Sequence, residues 1–213
     1  MLEALGARID LEPDAVARCI DAVGFGFMFA PRHHSAMRYV VPVRKALGVR
    51  TIFNFLGPLT NPAGARRQVI GVSDPSMIET MAGALGELGT DRALVVSSAD
   101  GLDEFSVSGA TRVVELKDGR LSTYDVTPEE VGLEPATDGA VGAGTPEENA
   151  GVLRGVLAGE PGTERALAVM NAAAAIYVGG RAESLREGVE RAEESIDSGA
   201  AAAKLEGYLE FAR

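Results

Sequence analysis

Two hydrophobic periods alternate along these 213 residues. Near the start, Val16, Cys19, Ile20 and Val23 recur at the three- and four-residue steps that line one helical face, with Pro13 and Asp14 suited to the first turn. A second helical pattern runs from about 34 to 47, bent at Pro42, which lacks the donor an unbroken helix uses, and stopped at Gly48. The middle changes period. "RQVIGV" (67–72) and "RALVVSS" (92–98) are short apolar runs rich in branched residues. Between them Met77, Met81, Leu85 and Leu88 form a helical stripe, with Asp74 as N-cap, Pro75 as first residue and Gly89 as stop. Strand, crossover helix and strand predict a parallel pair with a right-handed connection. "TRVVELK" (111–117) and "LSTYDV" (121–126), divided by Asp118 and Gly119, predict a hairpin.

Beyond residue 126 the period returns to helical. "TPEE" occurs at 127–130 and again at 145–148, each offering a capping threonine, a proline at the first helical position and a glutamate three residues after the cap. Both spell helix starts. Leu167, Met170, Ala174 and Tyr177 mark one later helix, and Leu185, Val189, Ala192 and Ile196 the next; their alanine-rich faces suit close packing. The glycine-rich "DGAVGAG" (138–144) reads as a loop.

Composition narrows the partners. Twenty basic against 31 acidic side chains give a formal charge of −11, which opposes nonspecific binding to nucleic acid or anionic lipid. A single cysteine, Cys19, excludes an internal disulfide and suits a reducing, cytoplasmic setting. No run approaches the roughly 18 apolar residues a membrane span needs, and no signal peptide opens the chain. Small molecules or proteins are the expected partners.

Polar chemistry concentrates in two places. "SADGLDEFSVSG" (98–109) begins at the carboxyl end of a predicted parallel strand, where open α/β sheets bind ligands, and sets Asp103 beside Glu104. Adjacent hard oxygens suit Mg²⁺, which takes one or two carboxylates and fills its other positions with water and substrate phosphates. A solvated acidic turn in an acidic protein is the other reading the residues leave open. The segment 30–64 carries Arg32, Arg38, Arg44, Lys45 and Arg50, and an arginine fork matches a planar carboxylate with two parallel hydrogen bonds. For any one of these arginines taken singly, a solvated helix face is the simpler reading. In "NFLGPLTNP", Gly57, Pro58 and Pro62 predict a stiff loop, either a flat wall for a ring or a plain connector. His33 and His34 are neighbours with no cysteine near, which argues against zinc. "GAVGAGT" lacks the lysine of a P-loop and follows no strand.

Taken together, "GFMFAPRHHSAMRYVVPVRKALGVRTIFNFLGPLTNPAG", "DGLDEFS" and "NAAAAIYVGGRAESLREGVERAEESIDSGAAAAKLE" closely resemble the anthranilate phosphoribosyltransferases of tryptophan biosynthesis, over essentially the whole chain. The resemblance implies an α/β fold of the nucleoside phosphorylase and phosphoribosyltransferase type: a mixed, largely parallel sheet flanked by helices. Residues 1–55 would belong to a small α domain and hinge, and 56–213 to the α/β domain. It implies transfer of the phosphoribosyl group from phosphoribosyl diphosphate to anthranilate, with release of diphosphate and Mg²⁺ as cofactor. By motif, Asp103 and Glu104 match the metal-holding pair, Arg44 the arginine that binds the anthranilate carboxylate, and His34, Gly57 and Pro58 the anthranilate channel.

The family's "GTGGD" and "KHGN" segments, which carry further diphosphate and anthranilate contacts, do not occur here. The chain therefore looks like the C-terminal portion of such an enzyme, expected to show little activity alone. Homodimerisation is expected of the intact enzyme. A pyrimidine nucleoside phosphorylase-like enzyme and a noncatalytic assembly module are the alternative readings.

Overall fold

The computed structural model describes residues 1–33, 53–136 and 144–213. In chain order these form α1 (Pro13–Val23), α2 (Ala30–His33), α3 (Phe53–Leu59), β1 (Arg67–Gly71), α4 (Ile78–Glu87), β2 (Arg92–Ser98), β3 (Thr111–Lys117), β4 (Arg120–Val126), α5 (Pro146–Leu157), α6 (Thr163–Val178), α7 (Leu185–Asp197) and α8 (Ala200–Phe211). They divide into two compact units. One comprises Met1–Asn54, Gly142–Gly159 and Ile196–Arg213, the other Phe55–Val141 and Glu160–Ser195.

The second unit is built on a four-stranded sheet in the order β1-β2-β3-β4. β1 and β2 run parallel, with Val69 opposite Leu94 and Gly71 opposite Val96, while β2–β3 and β3–β4 are antiparallel. A crossover helix makes the parallel pair possible. Asp74 accepts from the Ser76 backbone at 3.0 Å and caps a 3₁₀ turn over Pro75–Met77 that leads into α4, and Gly89 closes the connection at φ +84°. Ala93 to Ser98 are all buried, as expected of a strand covered on both faces. Ile70, Val72, Met81, Leu85, Val95, Val114 and Leu116 share one core with Phe55 and Leu59. Each large side chain here contributes about 1.5–3 kcal/mol by leaving water. Leu88, expected on that stripe, is instead 63% exposed, one residue past the end of α4. Asp118 and Gly119 both take positive φ, 51° and 71°, which is the two-residue turn the Asp-Gly pair predicts.

α6, and α7 as far as Ser195, belong to the same unit. They cross closely, because a Cβ on Gly188 would fall 2.6 Å from the Ala173 carbonyl oxygen.

In the first unit α1 packs on α8 and α5 on α8, around Leu5, Cys19, Ala150, Tyr208 and Leu209. Cys19 is fully buried, and that burial pushes its thiol up, away from the reactive thiolate. Ile20, expected beside it, is 40% exposed. At α5 the second "TPEE" forms a complete capping box between Thr145 and Glu148.

Three expectations change. The first "TPEE" starts no α-helix: Thr127 N–H does donate to Glu130 at 2.9 Å, but only a 3₁₀ turn over Glu129–Val131 follows, ended by Gly132 at φ +93°. Gly57 and Pro58 lie inside α3 and not in a loop. They occupy its last turn, where Thr60 Oγ1 donates back to the Leu56 carbonyl at 3.0 Å, and an Asn61 turn then closes on Ala63 at 2.9 Å. α8 is a helix that the reading of the last stripe does not reach; Gly199 at φ +77° separates it from α7. The helix expected from about 34 to 47 and most of the 138–144 loop lie outside the described residues.

Candidate functional site

At the carboxyl end of β2 the chain turns through residues 98–110 before entering β3. Backbone hydrogen bonds from Ser98 to Leu102 (3.1 Å), Gly101 to Ser98 (3.1 Å) and Ala99 to Ala110 (3.0 Å) fold it into a tight bend, with Gly101 at φ +88°. Asp100 fills the bend. Its carboxylate accepts from Ser98 Oγ, from Ser106 Oγ at 2.5 Å and from the Leu102 N–H at 3.4 Å. Burial alone would push this carboxyl up; the three hydrogen bonds outweigh it and hold the group below the usual carboxylate range. Ser106 N–H in turn donates to Thr111 Oγ1 at 2.9 Å, and both residues are fully buried.

This network carries Asp103 and Glu104 on its outer surface. Both are exposed, whereas the next residue, Phe105, is fully buried. The loop is anchored from two directions. Beneath it, β1 ends at Gly71, where a Cβ would fall 1.4 Å from the Asp103 carbonyl oxygen. Behind it, the Phe105 N–H donates to Asn171 Oδ1 at 2.9 Å, and Asn171 Nδ2 donates to the Phe105 carbonyl at 3.0 Å. The carboxylate pair is therefore held at a defined place at the exit of a parallel strand, where α/β sheets take ligands.

Neither carboxylate has an ion-pair partner, and no third His, Cys, Asp or Glu completes a metal cage, among the described residues. That donor set leaves most of a cation's coordination sphere open. It fits Mg²⁺, which combines one or two carboxylates with water and phosphate oxygens, and does not fit a closed zinc centre.

The other candidates fall differently. Gly57 and Pro58 belong to α3, which reaches the sheet core through Phe55 and Leu59. No hydrogen bond among the described residues joins them to Asp103 or Glu104. His34 and Arg44 lie outside the described residues. Gly71, Asp100, Ser106 and Asn171 support the loop without standing out as site residues in the sequence pattern. Asn171 had a signal: it is a polar residue beside the buried Met170, within an otherwise apolar helical run.

A second polar cluster sits near the opposite end of β2. Glu115, 8% exposed, accepts from Arg92 Nη2 at 3.2 Å, Tyr177 hydroxyl at 2.9 Å and Tyr124 hydroxyl at 3.0 Å. The Arg92 guanidinium lies 3.8 Å from the Tyr177 ring centroid and donates to the Tyr177 carbonyl at 3.0 Å. Burial, then the Glu115 charge, push the Tyr124 phenol far above its usual range, so it remains a donor. This set of pairs ties α6 to the sheet and commits both Glu115 oxygens to structural hydrogen bonds. A cavity of about 500 Å³ beside it is bordered by Glu130, Glu183 and Arg186.

Known proteins place the chain. Residues 1–202 match the family model described as "Glycosyl transferase family, a/b domain". An anthranilate phosphoribosyltransferase of Azorhizobium caulinodans is 55% identical over 206 residues, covering 97% of this chain and 60% of that protein. The crystal structure of anthranilate phosphoribosyltransferase from Thermus thermophilus superposes with a TM-score of 0.93 at 47% identity, covering 100% of this chain and 63% of that one. The Saccharomyces cerevisiae anthranilate phosphoribosyltransferase in complex with PRPP and Mg gives a TM-score of 0.88 at 29% identity, with 99% and 61% covered. The chain thus spans about three fifths of the length of the curated relatives it matches. No helix among the described residues is long and apolar enough to cross a membrane. With a family match over residues 1–202 and the same fold in its solved relatives, the chain belongs to the glycosyl transferase family defined by this α/β domain.

Proposed function

We propose that this chain is the larger part of an enzyme that transfers the phosphoribosyl group of phosphoribosyl diphosphate to the amine of anthranilate, releasing diphosphate. The observation that carries the reading is the exposed Asp103–Glu104 pair, fixed on a hydrogen-bonded loop at the exit of β2. Its support outside this chain is the likeness to anthranilate phosphoribosyltransferases, including the yeast protein whose complex contains PRPP and Mg.

In this reading Asp103 and Glu104 hold Mg²⁺ against the diphosphate. Breaking the bond at the ribose carbon leaves positive charge on the sugar and negative charge on diphosphate, and bound Mg²⁺ supplies Lewis-acid stabilisation of the latter. The two carboxylates contribute geometry and charge, and no proton. Arg44 takes the anthranilate carboxylate in its fork, and His34, Gly57 and Pro58 line the channel that orients the amine toward the carbon. Presenting the nucleophile in line removes much of the entropic part of the barrier. The remaining diphosphate contacts come from segments that this sequence does not contain. Cytoplasmic location and homodimerisation belong to the same proposal.

A chimera tests it. These 213 residues replace the matching segment of the Thermus thermophilus relative, and the loss of anthranilate fluorescence is followed with phosphoribosyl diphosphate. Consumption of anthranilate that requires Mg²⁺ supports the reading. A chimera that folds, by circular dichroism and a cooperative thermal transition, yet consumes none contradicts it.

A further inference from the structure

Asn171 stands on α6, 66 residues from Phe105 in sequence, and still makes two hydrogen bonds to that one residue's backbone. Its amide orientation follows from the pattern, since only an oxygen facing the N–H and a nitrogen facing the carbonyl satisfy both. The nitrogen's second proton goes to the Leu167 carbonyl at 3.0 Å, one turn back on the same helix. The side chain is thereby pinned at its own root before it reaches the loop. Phe105 directly follows Glu104, so the clamped N–H belongs to the peptide that joins the two. Fixing that peptide plane fixes the Cα–C bond on which Glu104 is mounted and leaves its side chain only the rotation about that bond and its own rotamers.

Three independent restraints meet here: the Asp100 network inside the loop, the close approach of Gly71 beneath Asp103, and Asn171 behind Phe105. The first two shape the bend and its height. Asn171 is placed to set the aim of the pair, because its bonds fall on the residue after Glu104 and come from a rigid helix.

We propose that Asn171 is a positioning residue for the Asp103–Glu104 pair, orienting both carboxylates toward a shared divalent cation through its two hydrogen bonds to Phe105. The proposal rests on the reading of that pair as the metal site. Groups that orient metal ligands act through geometry, and their removal costs roughly 10- to 100-fold in metal affinity. Asn171→Asp is the informative change. It keeps the size of the side chain and the acceptor for Phe105 N–H, but it faces the Phe105 and Leu167 carbonyls with oxygen in place of N–H.

The test uses the 213-residue chain with Mn²⁺ as probe in the presence of inorganic diphosphate. Bound metal is read from the loss of the free-ion electron paramagnetic resonance signal. Thermal midpoints are measured alongside for Asn171→Asp, Asn171→Ala, Glu104→Gln and, as a packing control on the same helix, Val169→Ala, whose side chain is 1% exposed. The expected result is graded: Mn²⁺ affinity falls in Asn171→Asp and further in Asn171→Ala, by roughly tenfold or more in the latter. Val169→Ala lowers the thermal midpoint and leaves affinity unchanged. If both Asn171 variants keep affinity within about twofold while Glu104→Gln loses it, Asn171 does not position the pair, and the metal reading stands. If Val169→Ala weakens binding as much as the Asn171 variants at equal loss of stability, the effect is general packing and the proposal is overturned. If Glu104→Gln binds as tightly as the unsubstituted chain, or that chain binds nothing, the metal reading itself fails and takes the proposal with it.

Discussion

Gly71 and Asp103 approach so closely that no side chain fits between them: a Cβ on Gly71 would fall 1.4 Å from the Asp103 carbonyl oxygen and 2.4 Å from its carbonyl carbon. The obstacle is backbone on both sides, so no rotamer change relieves it. Gly71→Ala must therefore lift the loop away from β1 or bend the strand's end. We expect a loss of about 1–3 kcal/mol in chemical denaturation, typical of overpacking, together with weakened binding of Mn²⁺ and diphosphate. A variant with unaltered stability and binding would show that the loop does not rest on this strand.

Asp100 links the loop to pH. Its carboxyl lies below its unfolded value because hydrogen bonds from Ser106, Ser98 and Leu102 outweigh the cost of burial. A depressed folded value means that the stabilisation is fully present above the ordinary carboxylate range and is lost as pH falls through the folded one. Denaturation measured from neutral pH down to about pH 3 should show an acid-side decline that Asp100→Asn reduces. Equal declines in both proteins would mean that other carboxylates dominate acid unfolding.

At the other end of β2, Glu115→Ala leaves the Arg92 guanidinium, only 14% exposed, without its carboxylate. Breaking a buried pair in this way costs about 3–5 kcal/mol. Tyr124→Phe removes one donor to Glu115 and should cost about 1 kcal/mol. Equilibrium unfolding in urea measures both. Because this cluster ties α6 to the sheet away from the 98–110 loop, Tyr124→Phe should leave metal affinity unchanged.

What the sequence discloses follows from how local each cause is. The β1–α4–β2 crossover was legible because Asp74, Pro75 and Gly89 act on their own neighbours, and the hairpin because Asp118 and Gly119 carry the positive φ themselves. The carboxylate pair was legible as a feature. Its supports were not, since Gly71 and Asn171 act across 32 and 66 residues of chain, and only folding brings them to the loop. The two "TPEE" strings show the limit of local signals. Both form their glutamate contact to the cap, yet only the second precedes an apolar helical face long enough to propagate; the first runs into Gly132. α3 departs in the opposite sense, because Gly57 and Pro58 spell a loop by residue type and a helix accommodates both in its final turn.

The central claim is that Asp103 and Glu104 together hold a divalent cation against a diphosphate. The most direct measurement is a Mn²⁺ titration of the chain with and without inorganic diphosphate, repeated on Asp103→Asn and Glu104→Gln. Two carboxylates that share one ion with phosphate oxygens predict binding that tightens when diphosphate is present and falls by roughly tenfold or more in each variant. Binding that ignores diphosphate, or that survives both substitutions undiminished, would contradict the account.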